Sequence, residues 1–163
     1  MKKSISVYWA RRDIRIKDNP ALTAACHHAK DQDTLFLPIY ILEDYMCAHN
    51  PEYQFGMPSR VFLSRALPHF SKKFKEFALI QGKPTKVFAH LSKIYDITVF
   101  VNEDVHPDFY AQLEKLKKAN ISVKLYKDAL TISKETVTGT GNIYSVFTPV
   151  SYTHLTLPTN REV

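Results

Sequence analysis

Apolar residues along this chain follow two rhythms. Short, nearly continuous runs rich in β-branched and aromatic residues fall at 5–9, 34–41, 77–80, 97–101 and 121–125. Runs of that length without polar alternation predict strands covered on both faces. Between them the apolar positions return at helical spacing. Leu22, Ala25, Cys26 and Ala29 mark one face of a helix over 20–30. Leu63, Ala66, Leu67, Phe70 and Phe74 mark a second helix that starts near Ser59, with Pro68 inside its stripe. That proline removes one backbone bond, to the carbonyl of Ser64, so a kink or a break into two pieces is expected. A third helix is expected over 85–95. A fourth opens at Pro107 and turns Phe109, Leu113 and Leu116 inward. Residues 42–57 read as a loop, with Pro51 and Gly56 as breakers.

Strands alternating with helices of this length imply right-handed βαβ units. The fold class is therefore α/β: a Rossmann-like three-layer sandwich around a five-stranded parallel sheet of order 3-2-1-4-5. In such a sheet, ligands bind at the carboxyl edge where the strand order reverses, here between strands one and four. The loop after strand one, Arg11-Arg12-Asp13-Ile14-Arg15, then lies opposite Asn102, Glu103 and Asp104. Asn19 caps the helix that follows, and Pro20 suits its first position. Three arginines in five positions suit an acidic or π-rich ligand, or a docking surface for acidic groups. The competing reading is structural: the arginines pair with Asp13, Asp18, Glu103 or Asp104 and fix the loop. Trp9 reads as core.

Composition narrows the chemistry. The chain has 163 residues, 45% of them hydrophobic, with a formal charge of +6, which suits one soluble domain. Lysines at 72, 73 and 75 and at 115, 117 and 118 fall on predicted helices and read as solvated faces. Cys26 and Cys47 have no C-x-x-C spacing, so reduced thiols and a cytoplasmic location are expected. The apolar run behind Met1-Lys2-Lys3 is too short for an export signal, and no stretch is long enough to cross a membrane. The turn after strand one has no glycine, so a standard dinucleotide site is not expected, and there is no P-loop. His27 and His28 are adjacent on one helix and point apart, and the other histidines are scattered, so no metal site is expected. No serine sits in a G-x-S-x-G elbow.

Several stretches together resemble one family. Trp9-Ala10-Arg11-Arg12-Asp13-Ile14-Arg15 with Asp18-Asn19-Pro20-Ala21-Leu22 is similar to the opening signature of the DNA photolyases and cryptochromes. Ser59-Arg60-Val61-Phe62-Leu63 with Ala66-Leu67 resembles their S-x-x-x-F-L helix. Residues 138–149 resemble T-G-x-G-x-x-Y-x-V-F-T-P, and Asn102-Glu103-Asp104 with Pro107 resembles N-x-D-Y-x-P. The resemblance implies an α/β domain over residues 1–150 that holds a light-harvesting antenna chromophore: a deazaflavin, a flavin or a folate. It carries over Arg11, Glu43, Asn102, Glu103 and His106 as chromophore-binding positions. Folate-binding members have a glutamate near the position of His106, which weakens the case for folate. Arg12, Asp13, Arg15, Tyr144 and Phe147 are carried over as structural or domain-docking positions.

In the family, FAD and the damaged DNA bind a larger helical domain, the partner of this one. The parent is then expected to be a light-dependent DNA repair enzyme. The domain alone is expected to be catalytically inactive and to bind DNA weakly. Residues 151–163 carry no helix or strand period and resemble a translated cloning adapter, so the chain reads as truncated after Val150. Two other readings stand beside this one: a cryptochrome-type blue-light photoreceptor, and a stand-alone nucleotide-binding domain.

Overall fold

The computed structural model describes residues 2–47, 55–104 and 106–128. Tyr144, Phe147, the 138–149 motif and the stretch 151–163 lie outside the described residues. The described part contains β1 (Lys3–Ala10), α1 (Pro20–Asp31), β2 (Leu35–Leu42), α2 (Asp44–Cys47) and α3 (Met57–Ser71). It continues with β3 (Ala78–Gln81), α4 (Pro84–Ile94), β4 (Tyr95–Asn102), α5 (Pro107–Lys118) and β5 (Ser122–Tyr126).

The five strands form one parallel sheet in the order β3-β2-β1-β4-β5. This is the order the alternation of strands and helices predicts. β1 is central, and its side chains alternate between two cores. Ile5, Val7 and Trp9 pack with Phe88 of α4 and with Phe109, Leu113 and Leu116 of α5. Tyr8 and Ala10 pack with Ala21, Leu22 and Ala25 of α1 and with Leu63, Leu67 and Phe70 of α3. With both faces covered, the inner strands can be apolar along their whole length. Trp9 is buried and meets Phe88 edge-on, with ring centroids 5.2 Å apart.

Four details differ from expectation. The stretch 42–57 contains a one-turn helix, α2, which is too short to leave a periodic signature. Helix α3 is not broken in two at Pro68. The proline falls in the last turn, so the single bond it forfeits lies where a helix is about to end anyway. Lys72 donates to the carbonyl of Pro68 (3.4 Å), and the helix stops at Ser71. Phe74 and the lysines at 72, 73 and 75 therefore lie beyond the helix rather than on it, although Phe74 still packs edge-on against Phe70. Tyr95, expected at the end of a helix, is the first residue of β4, because α4 runs into the strand with no loop between them.

Candidate functional site

The loop from β1 to α1 is held by a buried polar network. Asp13 accepts the Tyr8 hydroxyl proton (2.8 Å), the backbone N–H of Arg11 (2.8 Å) and the Asn102 carboxamide N–H (2.6 Å). Asn102 also donates to Oδ1 of Asn19 (2.8 Å). Asn19 and Asn102 are almost fully buried, and all their polar atoms are engaged. Burial first, then the charge of Asp13, push the Tyr8 phenol far above its ordinary value, so it stays a donor. The network pins the ends of β1 and β4 to the start of α1, three segments far apart in sequence.

It also fills the N-terminus of α1. Pro20 has no N–H to offer. The amide of Ala21 donates to Asn102 Oδ1 (3.0 Å) and that of Leu22 to Asn19 Oδ1 (3.1 Å). Carboxamides thus occupy the position where a phosphate sits in many α/β proteins.

Arg11 is the centre of a second cluster. Its guanidinium carbon lies 4.8 Å from the Trp9 ring centroid and 5.0 Å from that of Phe109. Its Nε donates to Asp104 (2.9 Å) and an Nη to Gln112 (3.1 Å), while Glu43 lies 3.8 Å away. Gln112 in turn donates to Glu43 (2.9 Å). Burial alone would raise the Asp104 carboxyl. The bond and charge of Arg11, the His106 amide and the charge of Arg12 together hold it below the usual carboxylate range. Glu43 goes the other way: burial raises it, and Arg11 and Gln112 offset that only in part.

Between the β1–α1 loop and the end of β4 lies a cleft of about 510 Å³. That volume falls in the range of small-molecule sites. Arg11, Arg12, Arg15, Asn102 and Glu103 all line it, joined by Asp13, Asp18, Asp104 and Asp128. Arg12 is largely exposed and approaches Asp104 at 3.7 Å. Arg15 pairs with Asp128 and donates to the Asp18 carbonyl (2.6 Å). Glu103 accepts from the Tyr110 hydroxyl.

The carried-over positions divide. Glu43 faces a separate recess by Tyr45 with room for about one water, about 20 Å³. His106 caps α5, accepting the Asp108 amide (3.3 Å), and stacks near Tyr45 with centroids 6.0 Å apart. Tyr8, Gln112 and Asp128 carried no signal in the sequence that would have placed them here. Among the described residues, no group of three metal-ligating side chains converges. No helix of the described residues is long and apolar enough to cross a membrane.

Comparison with known proteins agrees with this fold. The family model described as DNA photolyase matches residues 6–161. A deoxyribodipyrimidine photo-lyase from Synechococcus is 30% identical over 155 residues, covering 88% of this chain and 30% of that protein. Cryptochrome-1 of Sinapis alba is 29% identical over 147 residues, covering 78% of this chain and 26% of its own length. The chain thus spans less than a third of either relative. An archaeal photolyase from Sulfolobus tokodaii, solved with two FAD molecules, superposes with a TM-score of 0.69 at 22% identity. That match covers 83% of this chain and 32% of the other, and shows the fold.

Proposed function

The chain belongs to the DNA photolyase family, as its N-terminal α/β domain, and from that premise we propose that it is the antenna-chromophore domain of a deoxyribodipyrimidine photolyase. The observation that carries this reading is the 510 Å³ cleft at the carboxyl edge, between the strands where the order reverses. A tricyclic or bicyclic heteroaromatic ring is matched by a site of that size, and the charged and amide side chains that line it offer hydrogen bonds to the ring edges. The bound chromophore would supply light absorption. The chain's own residues do the holding. Arg12, Asp18 and Glu103 present charged and hydrogen-bonding groups to the ring edges. Arg11 positions Asp104, and Asn102 with Asp13 keeps the loop rigid behind them.

In this reading, repair of pyrimidine dimers belongs to the whole protein, with FAD and damaged DNA held by the helical domain seen in the family. The photolyase reading is preferred to the cryptochrome one because the photo-lyase match covers the larger share of this chain. The test is reconstitution. The purified 163-residue chain is incubated with riboflavin, a deazaflavin or a folate and dialysed, and its absorption is recorded. A retained visible or near-ultraviolet band at one equivalent supports the proposal; loss of every chromophore on dialysis overturns it. The same protein with FAD under blue light should reverse no thymine dimers, and turnover would refute the assignment of repair to the helical domain.

A further inference from the structure

We propose that this cleft excludes phosphate-bearing chromophores and selects an uncharged heteroaromatic ring that donates hydrogen bonds to its carboxylates. The inference rests on the reading of the cleft as the chromophore site and adds the chemical class of its ligand.

A phosphate in an open α/β sheet has two usual anchors, the first turn of a helix and an arginine fork. Neither is available in the ordinary way. The Ala21 and Leu22 amides of α1 are taken by Asn102 and Asn19, and both carboxamides are buried and held by partners of their own. Arg11 is enclosed between two aromatic rings and bonded to Asp104 and Gln112. Arg15 is committed to Asp128 and the Asp18 carbonyl. Arg12 is exposed, yet it faces the same Asp104 that Arg11 holds.

Three arginines and five carboxyl-bearing residues line the cleft. A phosphate dianion entering it meets more like charge than unlike. A neutral ring with N–H or O–H groups meets acceptors instead. Asp18 is exposed, and an ionised carboxylate has about four acceptor sites to offer such donors.

Riboflavin and its 5′-phosphate, FMN, form the test pair, since they share one fluorescent ring and differ by the phosphate. Each is titrated into the full chain at low salt. Riboflavin is expected to bind at least about tenfold more tightly, about 1.4 kcal/mol. The gap should narrow as salt rises, because screening weakens the repulsion. Asp128→Asn releases Arg15 and removes one carboxylate. It should tighten FMN several-fold and move riboflavin less than about twofold. Asp18→Asn should shift the ratio the same way, and its left-handed backbone (φ 52°) tolerates asparagine. FMN binding as tightly as riboflavin, or unchanged by both variants, overturns the selectivity and leaves the chromophore reading intact. Binding of neither flavin, with no retained deazaflavin or folate, overturns both.

Discussion

Replacing Asn102 by alanine should cost about 3–4 kcal/mol, although the change removes only a small polar side chain. The side chain makes bonds of 2.6 Å to Asp13, 2.8 Å to Asn19 and 3.0 Å from Ala21. Its loss leaves the Ala21 amide unpaired at a fully buried residue, which costs about 1–3 kcal/mol. It also strips one donor from the buried Asp13 carboxylate, a bond to a charged group worth about 1.5–3 kcal/mol. Partial relaxation and water entry take back some of the sum. Domains of this size have about 5–15 kcal/mol in total, so the variant should remain folded but marginal. Urea unfolding followed by Trp9 fluorescence measures it. At a slope of about 1.5 kcal/mol per M, the midpoint should fall by about 2 M. Asn102→Asp adds a check on mechanism, since it sets a second carboxyl against Asp13. Folding then raises the pair's affinity for a proton, so stability should fall as pH rises above about 4, the unfolded aspartate value. A loss below about 1 kcal/mol for the alanine variant, or no pH dependence for the aspartate variant, would refute the claim that this network holds the loop.

Three further outcomes follow from the same geometry. Glu43→Gln should be more stable than the parent at pH 7, with the difference vanishing as pH falls below about 4.5. The reason is that burial raises this carboxyl, so its charged form opposes folding above the unfolded value; a difference that persists at pH 4 would contradict this. Pro68→Ala should change stability by less than about 1 kcal/mol, because the bond it restores to the Ser64 carbonyl lies in the last, exposed turn of α3 and the unfolded chain gains freedom when the proline is lost; thermal unfolding reads the change, and a larger shift in either direction would count against it. Phe62→Ser with Met57→Ser should sharply reduce fluorescent-dye binding and leave stability within about 0.5 kcal/mol, since these side chains are 68% and 70% exposed on α3.

The architecture was legible because it depends on local pattern. Apolar runs long enough for doubly covered strands, separated by one amphipathic helix each, leave few topologies. Asn19 and Pro20 announced the start of α1 in the sequence, and both do what their types imply. The pairing of Arg11 and Arg12 with Asp104 was legible as the structural reading of the loop, but the rest of the environment of Arg11 was not. Its ring contact with Phe109 and its bond to Gln112 cross about a hundred residues. Only the register of β1 against β4 and the docking of α5 bring them together. Asp128 is likewise an ordinary surface residue until β5 delivers it to Arg15. The arginine-rich loop looks cationic in one dimension and is largely neutralised in three, because its counter-charges come from β4, β5 and the loop after β2. Helix α2 escaped notice because four residues are too few to show a period, and the Pro68 break did not occur because the helix was already ending.

Amide chemical-shift mapping of the full chain during a riboflavin titration tests the central claim most directly. The account predicts saturable shifts concentrated at residues 11–18, 102–104 and 126–128, around the carboxyl-edge cleft. Shifts gathered instead on the exposed face of α3 near Phe62, or beside α4 near Lys86 and His90, would contradict it.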